Sequence, residues 1–432
     1  MNYNVALLID LIAGLFFLFG LLIGGYHSAY ALVPLVLCGY HIWKLWQMRS
    51  SPELAFLLIF SITYPIFWIL SISLSVDIHY LFWNVDNILI TKALAAQGLF
   101  LCCLFIGMAN KPPSTIALHP RRNSSILFWT CITLMVICLA IAVSSVQGSI
   151  FEQSYDYELS GSSILFEYVL ILIIIAYAYS GQSKTRSRAL IFCSLLFVLA
   201  PLYFGKRLPA AMVMFSLLLL FWRPNDLKQV ALIFCAGFFF LSLLALFRVG
   251  DSSANTLTQI LLNVGSEGAM RNNQGGVVYS SAAYMKLVED GIFDIHFAID
   301  SMINTALSIF LPSAMVSEAA YINFSAMHHI PIPGNGGLPG VGFYVWGREI
   351  GIVLAGLFFG RLMYKSRYSY LSSVYVTFLL FTFPRWMAYN VNIMFKAGTL
   401  LVIGYLITRL VSSVSSPNRV DRPSPDKPEP SN

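Results

Sequence analysis

Apolar runs, separated by short polar connections, dominate this 432-residue chain. A run of about 20 apolar residues can cross a bilayer as a helix, in which every backbone N–H and C=O group bonds internally. Only 11% of the residues are charged, whereas a soluble domain has roughly 25%. The sequence therefore predicts an all-α polytopic membrane protein. The twelve predicted spans are 5–25, 29–46, 54–76, 88–108, 125–146, 163–179, 189–203, 208–222, 229–247, 349–364, 370–384 and 391–410.

Lysine and arginine concentrate in alternate connections, and an excess of these residues marks cytoplasmic loops. The opposite connections carry almost none early in the chain, as in VDIHYLFWNVD and QGSIFEQSYDYELSG. We therefore expect both termini in the cytoplasm. The basic residues of the predicted cytoplasmic loops are Lys44, Arg49, Lys111, Arg121, Arg122, Lys184, Arg186, Arg188, Arg223, Lys228, Arg361, Lys365 and Arg367.

Two regions are predicted. Residues 1–411 form a transmembrane domain with one large outward loop, 248–348, and residues 412–432 form a cytoplasmic tail. The tail, SSVSSPNRVDRPSPDKPEPSN, is rich in Pro, Ser and charge and is predicted to be disordered. A loop as long as 248–348 is usually functional. Its apolar pieces predict short helices at, or dipping into, the outer membrane surface.

Arginines recur on the outward side, against the positive-inside pattern. Arg207, Arg248, Arg348 and Arg385 each lie at the outer end of an apolar span. A guanidinium group is always charged and can donate two parallel hydrogen bonds to one phosphate group. A charge at the outer boundary of the membrane suggests a functional site. The alternative is that each arginine extends to a lipid head group. We favour an anion-binding site, and its candidate residues are Lys206, Arg207, Arg248, Arg271, Arg348 and Arg385.

A glycine-rich run ends the large loop and leads into Glu349. A carboxylate there can act as a general base. It can also simply pair with Arg348 or stabilise a helix N-terminus. His328 and His329 in the same loop are further candidate bases, although loop histidines are more often only solvated.

Charges within the apolar spans support a different reading. Asp10, Glu167 and Lys396 fall inside predicted spans, and each would suit the ion pathway of a transporter. Each can also lie near a span end and reach water. The sequence has no C-x-x-C or H-E-x-x-H motif, so we see no metal signature and expect no cofactor.

Three segments resemble oligosaccharide repeat-unit polymerases, the O-antigen polymerase (Wzy-type) family. FGKRLPAAMVMFSLLLLF is similar to the arginine-bearing turn and following helix of that family. GGLPGVGFYVWGREIGIVLAGLFFG looks like its glycine-rich segment leading into a Glu, and FPRWMAYNVNIMFKAGTL resembles its late arginine motif. The resemblance covers mainly residues 190–410.

The resemblance implies a GT-C-like, metal-independent glycosyltransferase of the bacterial inner membrane. Such an enzyme moves a glycan from undecaprenyl diphosphate onto a fresh lipid-linked repeat unit on the periplasmic side, so the outward loop would be periplasmic. By position, Arg207 and Arg385 match the family's arginine motifs and Glu349 its acidic position. The resemblance implies a chain-length regulator as a partner. It implies no binding to nucleic acid.

Two alternatives stay open. The O-antigen ligase uses the same donor and favours a loop histidine, which the HHIP run supplies. A flippase or transporter of lipid-linked oligosaccharide would need charges lining several spans at mid-depth.

Overall fold

The structure is a computed structural model, and it describes residues 3–23, 29–74, 86–112, 123–145, 164–204, 206–224, 226–249, 273–312, 315–332, 336–389 and 391–414. These residues form sixteen α-helices and one short 3-10 helix, Glu318–Ala320, and no named strand. The α-helices, α1 to α16 in chain order, are Tyr3–Ile23, Ala29–Gln47, Pro52–Leu74, Asn87–Gly107, Ser125–Ser144, Leu165–Tyr179, Lys184–Tyr203, Arg207–Phe221, Leu227–Val249, Asn273–Glu289, Ile295–Leu307, Ile322–Met327, Pro339–Lys365, Tyr370–Phe381, Phe383–Trp386 and Asn392–Val414.

Seven of the described helices are long and apolar enough to cross a membrane: α1, α3, α4, α5, α7, α13 and α16. Four shorter apolar stretches, in α6, α8, α9 and α14, accompany them. The all-α membrane class predicted from the sequence is therefore confirmed.

Helix α13 begins at Pro339, within the segment predicted as outward loop, because the glycines there pack as helix. The predicted span 349–364 corresponds to the part of α13 that follows non-helical Gly347 and Arg348. Helix α16 runs through Val414. The rest of the tail lies outside the described residues.

Helix ends meet in two layers. Glu53 at the start of α3 pairs with Arg223 after α8 at 3.0 Å. Arg186 at the start of α7 donates to Asn123 before α5 at 2.6 Å. The starts of odd-numbered helices and the ends of even-numbered helices share one layer when successive spans alternate in direction. We call this layer the tail end and the opposite layer the loop end.

Helix α4 lies at the centre of the bundle. It is apolar on every side, as expected of a helix that is buried all round, and almost every residue from Leu89 to Phe105 is buried. It packs against α1, α2, α10 and α13. The Gln97 side chain also accepts a hydrogen bond from Gly340 N at 3.1 Å, which satisfies a free N–H near the start of α13.

Glycines bring α13 and α4 into backbone contact. A Cβ atom on Gly356 would lie 2.5 Å from the Cys103 Cβ and 2.8 Å from the Phe100 carbonyl oxygen. One on Gly107 would lie 2.6 Å from the Leu357 carbonyl oxygen. Gly356 and Gly360 have the G-x-x-x-G spacing that permits close helix approach in membranes. We call these contacts the glycine seam.

The glycine seam can be tested by adding bulk. We expect Gly356→Val to lower the free energy of unfolding by about 1–3 kcal/mol, because the Cys103 Cβ and the backbone of α4 lie in the way and cannot move aside cheaply. Gly39→Val is the matched control, since a Cβ atom there would meet nothing within 4 Å. Thermal melting of both purified variants in detergent measures the difference. Equal melting temperatures would contradict the close packing.

A fully buried ion pair joins three helices at the tail end. Lys44 Nζ lies 2.7 Å from Asp10 Oδ1, and both side chains are 0% exposed. The Tyr40 hydroxyl donates to Asp10 at 2.9 Å and the Asn110 amide donates to it at 2.7 Å. Lys44 also donates to Gln47 at 3.0 Å. The pair is thus satisfied by neighbours from α1, α2 and the end of α4, as a buried pair must be.

A double-mutant cycle tests this pair. We expect Lys44→Met to cost about 3–5 kcal/mol, because it leaves the Asp10 carboxylate buried without its cation. Adding Asp10→Leu should recover most of that loss, since no charge then stays buried. Thermal melting of the wild type, both single variants and the double variant gives the coupling energy. If the double variant lost as much stability as the two single variants together, the pair would not be coupled.

Candidate functional site

An arginine and a glutamate from distant parts of the chain meet at the loop end. Arg385 Nε lies 3.2 Å from Glu167 Oε2. Glu167 stands in the first turn of α6, where a carboxylate suits the helix dipole. Arg385 belongs to α15, the four-residue helix FPRW. The Arg385 guanidinium also lies over the Tyr389 ring, 4.8 Å from its centroid.

Helix α15 is held in place by its buried neighbours. The Trp386 indole is fully buried and donates to the Leu379 carbonyl at 2.8 Å. The Tyr64 hydroxyl donates to the Met387 carbonyl at 3.0 Å. The helix also packs against α8, α3 and α16. Arg385 is therefore presented from a rigid turn between two spans.

The charges around Tyr389 bring Arg207 into the same site. Burial raises the pKa of the Tyr389 hydroxyl, the nearby Arg385 and Arg207 guanidinium groups lower it, and the Glu167 carboxylate raises it. Tyr168 is likewise within electrostatic range of Glu167 and Arg385. We call Arg207, Arg385, Glu167, Tyr168 and Tyr389 the arginine cluster.

The position of Arg207 is not explained by helix stability. Arg207 is the first residue of α8, with Lys206 as its N-cap. A cation at a helix N-terminus opposes the helix dipole and costs free energy rather than contributing it. A binding role gives a reason for a cation in this place.

The arginine cluster suits an anion. It contains two guanidinium groups and one carboxylate, Arg385 meets Glu167 through Nε, and the described residues offer the terminal nitrogens of Arg385 no further partner. Arg385 is 30% exposed, whereas Glu167 is 11% exposed. The guanidinium fork is thus available to two phosphate oxygens.

A second feature of the loop end is a break within α13. Arg348 has φ 53° and ψ −145°, next to Gly347 with φ −159° and ψ 23°. The first pair of angles belongs to a region that only glycine adopts easily. Beyond the break the chain folds back closely, since a Cβ atom on Gly351 would collide with the Phe343 carbonyl oxygen.

Side chains around the break hold Arg348. Its guanidinium donates to the Val288 carbonyl in α10 at 3.1 Å and lies 5.5 Å from the Tyr344 ring centroid. An ion pair between Lys92 and Glu289 ties α4 to the end of α10 beside it. Arg348 is therefore engaged at the break, and no contact links it to the arginine cluster within the described residues.

Glu349 follows the break and starts the second half of α13. It is half-buried and has no hydrogen-bond or ion-pair partner among the described residues. It does not pair with the adjacent Arg348, which was one of the alternatives left open by the sequence. A carboxylate with free oxygens at this place can accept a proton.

The glycine-rich segment lies between the two features. A Cβ atom on Gly336 would collide with the Tyr389 carbonyl, and Gly342 packs on Val391. A small cavity here, of about 10 Å³, is lined by Tyr284, Tyr389 and the glycine-rich segment. That volume suits one water molecule and not a sugar, so a ligand of the arginine cluster must approach it from its exposed side.

The two histidines lie in a solvated part of the loop. His328 Nε2 is 2.7 Å from Glu318 Oε2, and the two side chains are 66% and 69% exposed. His329 is exposed as well. The sequence-predicted bases are thus separated: Glu349 is half-buried at the break, and the histidines are on the surface.

Other predicted residues are less fully described. The backbone of Arg248 belongs to α9, but its side chain lies outside the described part, and Arg271 lies outside it altogether. In the described ranges no group of three or more His, Cys, Asp or Glu side chains could hold a metal ion.

Sequence reasoning missed the role of Glu167 as the partner of Arg385. Glu167 and Arg385 are 218 positions apart in the chain, so no local pattern could pair them. The available signal was that both residues lie at the same predicted end of their spans.

Comparison with known proteins adds no identification, since no family of proteins, no curated protein and no solved structure matches this chain.

The break in α13 predicts an order of stability among variants. Arg348→Gly should be more stable than Arg348→Ala by about 1 kcal/mol, and Arg348→Val should be the least stable, because only glycine adopts this backbone without strain. All three variants lose the same guanidinium, so that loss cancels in the comparison. Thermal melting in detergent gives the order. An alanine variant as stable as the glycine variant would contradict the backbone conformation at the break.

Proposed function

We propose that this protein is a glycosyltransferase that polymerises undecaprenyl-diphosphate-linked repeat units into O-antigen or a related surface polysaccharide. In this proposal twelve spans form a GT-C-like domain in the bacterial inner membrane, both termini are cytoplasmic and the loop end is periplasmic. The observation that carries the proposal is the partly exposed Arg385 at the loop end, paired with Glu167 and stacked on Tyr389, with the Arg207 guanidinium within electrostatic range of the same tyrosine.

The proposed chemistry is one displacement. The arginine cluster holds the donor diphosphate and stabilises its negative charge as the bond between the sugar C1 and the phosphate oxygen breaks. The acceptor hydroxyl on a second lipid-linked repeat unit forms the new bond to C1. Glu349 takes the hydroxyl proton, and the lipid diphosphate leaves. The arginines supply the positive charge, so this scheme needs no metal ion.

The span charges favour this proposal over a transporter. Asp10 forms a fully buried ion pair with Lys44 at the tail end, and Glu167 pairs with Arg385 at the loop end. Lys396 is half-buried near the start of α16. These three charges do not line one path at mid-depth, which a flippase or secondary transporter would need.

One contact favours the O-antigen ligase as a second candidate. His328 bonds a carboxylate, Glu318, in the exposed part of the loop. A carboxylate can orient a histidine and fix its tautomer. The ligase would use this histidine as the base in place of Glu349.

Electrophoresis of lipopolysaccharide from cells lacking the gene tests the proposal. We expect the ladder to collapse to core plus a single repeat unit. Loss of every repeat-bearing band would favour ligation or flipping, and transport of lipid-linked sugar by the purified protein in vesicles would separate those two. An intact ladder would contradict the proposal.

The arginine cluster is tested by Arg207→Lys and Arg385→Lys at equal protein levels. Lysine keeps the positive charge but cannot donate the two parallel hydrogen bonds of a guanidinium group. We therefore expect the polymerisation rate to fall by about tenfold or more, with a shorter lipopolysaccharide ladder. Arg361→Lys is the matched control, because Arg361 lies near the tail end of α13, stacked on Tyr364. Unchanged ladders in both cluster variants would exclude the two-point grip on the diphosphate.

A further inference from the structure

Helix α11, in the segment between α9 and α13, exposes large apolar side chains outside the candidate spans. Ile295 is 64% exposed and Ile303 is 53% exposed. The full exposed apolar set of this helix is Ile295, Ile299, Met302, Ile303 and Leu307. Contiguous apolar surface of this kind usually marks an interaction site.

The exposed residues occupy one of three sectors around α11. At about 100° per residue, the apolar set falls on a single face. Ala298, Ser301 and Thr305 form the buried face next to it. Asp300 and Asn304 form a polar face on the remaining side, and His296 lies at the edge of the apolar sector next to it. A helix that packs on the protein with one side and lies at the membrane–water interface needs three faces: one buried in protein, one apolar toward lipid and one polar toward water.

Hydrogen bonds fix α11 at the level where spans begin. Ser301 accepts from the Trp346 indole at 2.9 Å, just before the break in α13. Thr305 donates to Asn392, the first residue of α16, at 3.4 Å. The exposed stripe of α13 starts one turn beyond Trp346, at Ile350, which is 71% exposed. The apolar face of α11 therefore borders a surface that faces lipid in a spanning helix.

The charge of α11 indicates which lipid surface it fits. The helix has no Lys or Arg; Asp294 caps its N-terminus by accepting from Phe297 N, and Asp300 lies on its polar face. Anionic head groups would be repelled, and so would a second copy that brought its own Asp300 against this one. A neutral surface meets no such repulsion.

We propose that α11 is an interfacial helix, which inserts its apolar face among the acyl chains of zwitterionic lipids and keeps Asp300 and Asn304 in water. This inference does not depend on the proposed function. Helix α10, by contrast, is buried against α3, α4 and α13 and offers no such face. In the segment between α9 and α13, α10 thus packs in the protein core, and α11 contacts the lipid surface.

Photo-crosslinking in vesicles tests the docking of α11. The full-length protein carries benzoylphenylalanine in place of Ile303, and in parallel in place of Ile299, in phosphatidylcholine vesicles. Asp300 receives the same substitution as the matched control on the polar face. After irradiation, mass spectrometry of the labelled peptides identifies the adducts. We expect lipid adducts at 303 and 299 in at least about tenfold higher yield than at 300.

Three outcomes would overturn the proposal. Peptide adducts from a second copy at 303 and 299 would make this face a subunit interface. Equal lipid yields at 300 and 303 would remove the orientation. Replacing part of the phosphatidylcholine with phosphatidylglycerol should not raise the yield at 303 by more than about twofold, because α11 has no basic residue to attract anionic head groups and Asp300 repels them. A larger rise would mean that charge, and not apolar insertion, drives the contact.

Discussion

The packing of α13 on α4 is the constraint on which the rest of the structure depends. Helix α4 has no polar face to turn toward water, so other helices must cover it on every side. In a membrane, lipid is as apolar as leucine, and close backbone approach has to supply the attraction between helices. The glycine seam provides that approach along the second half of α13. At the start of α13, Gln97 of α4 satisfies a free backbone N–H.

These contacts fix both halves of α13 against the same neighbour. The first half is held where Gly340 meets Gln97, and the second where Gly356 and Gly360 meet the end of α4. A straight helix cannot satisfy both sets, so the chain breaks at Gly347 and Arg348. The break gives Glu349 its place at a new helix start. It also directs the preceding glycines against Tyr389, the residue that stacks with Arg385.

Much of the fold could be predicted from the sequence, and much of the site could not. Apolar length gives the helices and their class, because the bilayer dictates how long a spanning helix must be. Hydropathy gives the depth of a residue but not the direction in which it faces. The pairs Asp10–Lys44 and Glu167–Arg385 depend on that direction. The early start of α13 was missed because glycine and proline usually mark a loop, whereas here glycines allow contact with another backbone.

The two ends of the bundle treat charge in opposite ways. At the tail end, Lys44 and Asp10 are balanced, fully buried and satisfied by neutral donors and acceptors, so nothing remains for a ligand to bind. At the loop end, Arg385 meets the Glu167 carboxylate through Nε and stays partly exposed, and Arg207 lies within electrostatic range of the same Tyr389. A partly exposed cation next to an apolar layer costs free energy unless an anion accompanies it. An anion bound at the loop end would accept from the exposed guanidinium, and for this reason we propose the site there.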